Sequence, residues 1–181
     1  GGDVLIVDME AMSIAGRIPL SSDEGYDPMP SRMAELDGLV WVALSHLARD
    51  FGSAGPGRVV GLDPATDTVS TSLTLEGLSN CGAMVRDMDN DSLWLACSGL
   101  FALGEQAQRE ASALVHLQLI DGSLQERWRL SASEHIESAV AFSIEPLAPK
   151  RVAFTAFGSF EADTPDRLLL ADASMKTLWE T

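Results

Sequence analysis

Apolar and polar positions along this 181-residue chain form short alternating runs, and one run recurs four times. Val4-Leu5-Ile6-Val7-Asp8, Val59-Val60-Gly61-Leu62-Asp63, Leu114-Val115-His116-Leu117-Gln118 and Leu168-Leu169-Leu170-Ala171-Asp172 end at 8, 63, 118 and 172, steps of 55, 55 and 54 residues. Each run enters a polar turn and a second apolar stretch, as in Asp63-Pro64-Ala65-Thr66-Asp67-Thr68-Val69, which predicts a hairpin. Self-similarity at such a period is the mark of a repeat architecture.

A second periodic signal lies out of phase with the first. Leu39-Val40-Trp41-Val42-Ala43-Leu44 matches Ser92-Leu93-Trp94-Leu95-Ala96-Cys97, and the third copy is read as Arg151-Val152-Ala153-Phe154-Thr155-Ala156, with Phe154 in the place of Trp. Each repeat therefore holds four strands. In one of them these run, inside to outside, Gly82 to Arg86, Leu93 to Cys97, Ala113 to Leu117 and Leu124 to Leu130. No segment keeps a convincing helical period, so no helix is predicted.

Four-stranded sheets at this period predict an all-β fold, a partial β-propeller of antiparallel blades. A parallel β-helix would need much shorter coils. The divisions are 1–20 for the outer hairpin of one blade, then full blades over 21–76, 77–131 and 132–181. Propellers close with about 4 to 8 blades. Three blades and a hairpin are thus expected to form part of a larger ring, with two broad apolar faces in need of a partner. Either earlier blades of a longer chain or further chains complete it; the start in mid-blade, without Met at Gly1, favours the longer chain.

Composition narrows the setting. With 46% hydrophobic residues the chain can bury a sizeable core, and no apolar run is long enough to span a membrane as a helix. Twelve basic against 27 acidic residues leave a net charge of −15, a field that repels phosphate backbones and anionic lipid surfaces, so nucleic acid is excluded as the expected partner.

The two cysteines, Cys81 and Cys97, flank a turn centred near Asp89. Antiparallel pairing about that centre sets them directly opposite one another, at a Cα separation of about 4.5 to 5.5 Å that permits a disulfide. A disulfide implies an oxidising compartment. Two buried free thiols are the competing reading.

The apolar strand, Asp-Pro-Ala-Thr-Asp-Thr-Val turn and second apolar strand resemble YVTN-type and quinoprotein-amine-dehydrogenase-like propeller repeats. Ser79-Asn80-Cys81-Gly82 with Ala96-Cys97-Ser98-Gly99 resembles bacterial secreted or lipoprotein propellers. The resemblance implies a periplasmic, outer-membrane-associated or secreted location, with room for a lipid anchor upstream of Gly1. It also implies a protein of no known catalysis in most cases, since one fold hosts enzymes, binders and scaffolds. Gln118 departs from the repeated Asp, and Gly99 to Ser112 is an insertion that reads either as a recognition loop or as a solvated loop, with Phe101 expected to pack within its own loop.

Candidate chemistry is sparse. Asp87, Asp89 and Asp91 have the opening spacing of a calcium loop, but Ser92 stands where the sharp-turn Gly belongs and Ser98 where the bidentate Glu belongs, which favours a polar hairpin tip. His46, His116 and His135 are dispersed and read as satisfied or solvent-facing residues. Trp41, Trp94 and Phe154 are expected to fill successive blade interfaces, and Trp128 and Trp179 to share an outer-strand position. No catalytic set and no cofactor is predicted. The chain is therefore read as a non-catalytic extracytoplasmic interaction or structural module, a subunit of a larger envelope assembly. The competing reading is a lactonase- or quinoprotein-type enzyme with ligands on blades outside these residues.

Overall fold

The computed structural model describes residues 2–22, 25–89, 91–159 and 162–180. A two-stranded antiparallel sheet of β1 (Asp3–Asp8) and β2 (Ser13–Pro19) comes first. Three four-stranded meanders follow: β3 (Pro30–Leu36), β4 (Leu39–Leu44), β5 (Gly57–Asp63) and β6 (Thr68–Leu75); β7 (Cys81–Arg86), β8 (Ser92–Ser98), β9 (Ser112–Ile120) and β10 (Ser123–Ser131); β11 (Val140–Ala148), β12 (Arg151–Ala156), β13 (Arg167–Asp172) and β14 (Thr177–Glu180). Every strand pairs with its sequence neighbour, so each sheet is a blade laid down inside to outside. The last expected blade ran to Thr181, which lies outside the described residues.

The recurrent Asp has a physical role. The Oδ1 atom of Asp8 accepts N–H bonds from Glu10 and Ala11, that of Asp63 from Ala65, and that of Asp172 from Ser174 and Met175. Each carboxylate thus closes a turn on its own backbone. Where Gln118 replaces Asp, β9 continues to Ile120 and turns at Asp121-Gly122, both at positive φ (51° and 76°), the two-residue hairpin geometry that Gly accommodates.

A register irregularity recurs with the repeat. It falls between Ile6 and Val7, between Gly61 and Leu62, and across from His116 and Leu117, where Trp128 follows Glu126 in the pairing. Such bulges re-aim side chains and sharpen twist, and their recurrence identifies β1, β5 and β9 as equivalent third strands.

Three apolar clusters hold the sheets face to face. Val4 and Ile6 pack against Val42, Leu44, Val60 and Leu62; Trp41, Ala43 and Val59 meet Leu93, Leu95 and Cys97; Trp94, Ala96 and Leu114 meet Val140, Val152 and Phe154. Alternate residues of a strand point to opposite faces, which is why Val40, Val42 and Leu44 join one cluster and Trp41 and Ala43 another.

Two expectations are corrected here. Phe154 is not the equivalent of Trp94: Ser92 pairs with Gln118 and Arg151 with Asp172, so the residue in the Trp place is Ala153. A one-residue shift reverses a side chain's face, and Phe154 turns back to share the Trp94 interface. The chain also contains helical turns: α1 (Glu105–Glu110), α2 (Ala132–His135) and a 3₁₀ turn at Phe101–Leu103. At three to six residues these are too short to show a 3.6-residue period in sequence. Among the described residues no helix is long and apolar enough to cross a membrane.

Cys81 and Cys97 pair across β7 and β8 and are joined by a disulfide, with S–S 2.02 Å and Cα atoms 3.8 Å apart. The expected symmetry about Asp89 holds only at this pair: from Ala83–Ala96 to Arg86–Leu93 the ladder is centred between 89 and 90, and a register shift between Cys81 and Ala83 sets Cys81 opposite Cys97. Replacing both cysteines by Ala is expected to lower stability by about 3 kcal/mol through loop-closure entropy. Denaturant midpoints with and without reductant check this; a midpoint that moves less than about 0.5 kcal/mol equivalent would contradict it.

Candidate functional site

Two places gather polar groups, one on each rim. The first is the β7–β8 turn. Asp87 follows the last residue of β7 and is fully enclosed, because the β11–β12 turn of the next blade sits on it. Its Oδ2 accepts the Lys150 N–H at 2.9 Å and meets His116 Nε2 at 3.1 Å, while Oδ1 accepts the Met88 N–H at 2.7 Å. His116 lies on β9, its ring 4.7 Å from that of Trp94. Burial by itself raises the Asp87 carboxyl, but the bonds from His116, Lys150 and Met88 outweigh it and hold its pKa below the ordinary value.

Ser92, at the start of β8, completes the set. Its Oγ lies 3.1 Å from His116 Nε2 and 2.5 Å from Asp89 Oδ1. The bonding pattern assigns the imidazole proton to Nε2, donated to Asp87, and the hydroxyl proton to Asp89. Serine, histidine and aspartate here do not form a nucleophilic relay. A relay uses both ring nitrogens, one toward the acid and one toward the hydroxyl, whereas Asp87 and Ser92 meet the same nitrogen, and Ser92 is buried.

The predicted calcium set is distributed differently. Asp87 and Asp89 come together, with His116 as the third group, their donor atoms within 4.8 Å of one another. Asp91 instead accepts a bond from Gln118 Nε2 at 3.2 Å, and Asn90 lies outside the described residues. Calcium takes six to eight oxygen ligands; two carboxylates and an imidazole already bonded to each other do not fit that requirement.

The second place is a groove on the opposite rim, between α1 and the β12–β13 connection. A cavity of about 790 Å³ is walled by Phe101, Phe157, Gln108 and Pro165, and one of about 370 Å³ beside it by Arg109, Glu137 and Arg167. The Phe101 ring meets Phe157 edge to face at 4.9 Å, and Phe157 meets Phe142 of β11 at 5.7 Å. Phe101 therefore packs on the next blade and not within its own loop, contrary to expectation. Gly99 makes this fold-back practicable: at φ 66°, a Cβ there would stand 2.1 Å from the Gln108 carbonyl oxygen. The groove's cations are committed: Arg109 donates to the Glu137 carbonyl, and Arg167 to the Ile136 carbonyl and to Ser138 Oγ.

The histidines stay apart. His46 is buried in the β4–β5 connection with Nδ1 3.0 Å from the Pro56 carbonyl oxygen, and His135 is exposed on α2. The Asp87–His116 pair was missed in sequence, although a histidine inside the apolar run Leu114-Val115-His116-Leu117 signals a buried polar partner.

No family model matches the chain, and no curated protein does. Among solved structures it is similar to Kuenenia stuttgartiensis hydrazine synthase (TM-score 0.69, 13% identity, 96% of this chain and 47% of that one). It is likewise similar to dihydro-heme d1 dehydrogenase NirN in complex with DHE (TM-score 0.60, 11% identity, 96% of this chain and 31% of that one). Both are β-propeller proteins, and at these identities the likeness is one of fold. The chain spans less than half the length of either. The architecture is that of a partial β-propeller.

Proposed function

We propose that this chain is the blade-forming part of an extracytoplasmic propeller that serves as a protein-interaction or structural module. The observation that carries this reading is the pair of uncovered blade faces. On the first sheet Leu5 and Val7 are 46% and 52% exposed, and on the last Leu168 is 48% and Trp179 39% exposed. Val60, Leu62 and Val59, the counterparts of Leu5, Val7 and Leu168 within the array, are buried. Trp128 and Trp179 sit opposite His116 and Leu170 at one repeat position; Trp128 packs edge to face on Trp94 at 5.9 Å, while Trp179 has the Arg151 guanidinium over its ring. Apolar faces of this kind are built to be covered.

The disulfide supports an oxidising compartment, and the acidic surface supports a protein partner over a phosphate-bearing one. Among the described residues, the Ser92–His116–Asp87 grouping is a closed hydrogen-bond set and supports no nucleophilic relay. YVTN-type membership rests on the repeat residues alone.

In isolation the 1–181 chain is expected to self-associate at micromolar concentration and to bind a hydrophobic dye, with both effects reduced by Leu168→Lys and Trp179→Lys. Sedimentation and dye fluorescence read this out. A dye-silent monomer at every concentration removes the interaction reading. A stoichiometric metal or quinone in protein from its native source replaces it with the enzyme reading.

A further inference from the structure

The groove between α1 and the β12–β13 connection lies between two four-stranded blades, so its walls do not depend on what covers the terminal faces. Its two cavities share Glu105, Gln108, Phe157 and Ser159 and form one depression. Both fall in the size range of small-ligand sites, about 300 to 1,000 Å³. At its mouth Phe101 is pinned edge to face on Phe157 and yet stays 50% exposed, which holds an apolar ring open to solvent.

Gln108 carries the polar side of the argument. The residue is only 6% exposed, and its Nε2 donates to the Ser98 carbonyl oxygen at 3.1 Å, which fixes the amide and leaves Oε1 without a partner among the described residues. Gln108 lines both cavities, and a carbonyl oxygen left over in such a place calls for a donor. Two carboxylates share the wall. Glu105 Oε1 accepts the Ser159 hydroxyl at 2.9 Å and Asp166 Oδ1 the Gly158 N–H at 2.8 Å, so both are tied to adjacent residues of the β12–β13 connection. Each keeps a second oxygen, and neither has an ion-pair partner among the described residues. The nearby guanidinium groups are engaged elsewhere, Arg109 with the Glu137 carbonyl and Arg167 with Ile136, Ser138 and Glu180.

We propose that this groove binds a small planar organic cation, an aromatic amidinium or guanidinium, with its ring against Phe101 and Phe157 and its N–H groups on Gln108 Oε1 and the free oxygens of Glu105 and Asp166. The wall sets each part of that chemistry. Carbonyl and carboxylate oxygens only accept, so the head group must carry several N–H donors, which a planar amidinium or guanidinium presents in fixed directions. Two carboxylates without a cation, in a chain of net charge −15, attract a positive ligand and repel an anion. A flat apolar body covers the exposed Phe101 ring, whose negative face also favours positive charge.

The test titrates the 1–181 chain with benzamidine and follows backbone amide shifts by NMR. Three controls run beside it: benzamide, the neutral isostere; benzoate, the anion; and acetamidine, which has the head group without the ring. Benzamidine is expected to bind with a Kd of about 1 mM or below, with shifts concentrated at Phe101, Gln108, Phe157 and Gly158, and each control about tenfold weaker or more. Glu105→Gln keeps an acceptor for Ser159 and removes only the charge; it is expected to weaken benzamidine about threefold or more, as is added salt. Phe101→Ala is expected to lose about tenfold, and the acetamidine comparison reports the same contribution on the unaltered chain. Benzamide or benzoate binding as tightly as benzamidine, shifts centred outside the groove, unchanged affinity in Glu105→Gln, or no saturation by about 20 mM benzamidine each overturns the proposal. Self-association through Leu168 and Trp179 is a separate readout, so failure here leaves the interaction reading standing.

Discussion

Trp94→Ala is expected to lower the unfolding free energy by about 4 kcal/mol, within the range of large-to-small replacements of buried aromatics. The indole is fully buried at the seam of the last two blades, with His116 on one side and Trp128 on another. Those neighbours belong to β9 and β10 of the same sheet, whose registry is fixed by its hydrogen bonds, so they cannot collapse to fill the void. Urea unfolding at constant m-value measures the loss. Trp179→Ala at the equivalent position of Trp128 in the last blade is expected to cost the isolated chain far less, about 1 kcal/mol, because 39% of it is open to solvent. Equal losses at the two sites would mean that the terminal face is buried in solution.

Asp87→Ala is expected to cost about 3 kcal/mol, because it strands the His116 ring and the Lys150 and Met88 N–H groups in a dry site. The Lys150 bond crosses between blades, so local exchange at the β11–β12 turn should quicken as well. The pH dependence has a definite sign. The folded-state pKa of Asp87 is depressed below its ordinary 3.8, so its contribution is fully present above that value and disappears as pH falls through the lower folded value. Stability of the parent chain should therefore fall more steeply than that of Asp87→Ala below pH about 4. Parallel acid titrations of the two would refute the assignment. Ser92→Ala is the milder variant, since Asp87 keeps His116 and both N–H partners.

Much of the architecture was legible because β-repeats write themselves in two registers, the alternation along a strand and the step between blades. The third strands announced themselves by their closing Asp, which caps a turn wherever it occurs. The cysteine pairing was legible, but not for the reason the sequence offered: the ladder from Ala83–Ala96 to Arg86–Leu93 is centred between 89 and 90, and the register shift between Cys81 and Ala83 brings Cys81 opposite Cys97. The Phe154 face was not, since aromatic identity outweighed the register that only the Arg151–Asp172 pairing reveals. The helical turns escaped because Gly104 and the packing of Phe101 on Phe157, not periodicity, place them.

The candidate site was legible only in part. Asp87 and Asp89 stood out as alternate carboxylates, yet their partner His116 lies 29 residues from Asp87 in sequence and reaches it only because β9 pairs with β8. Asp91 shares the spacing but stands at the far side of the turn, next to Ser92, whose partner across the ladder is Gln118, and so it meets that amide.

Repeat length and blade-forming pattern came from sequence alone, because each depends on spacing along one strand or across one turn. Tertiary structure decided which aromatics are covered, that Asp87 is sealed by the following blade, and that a register shift sets Cys81 opposite Cys97. These depend on the partner strand or on what lies on the far side of a sheet, and a strand's own residues do not encode the presence of its neighbour.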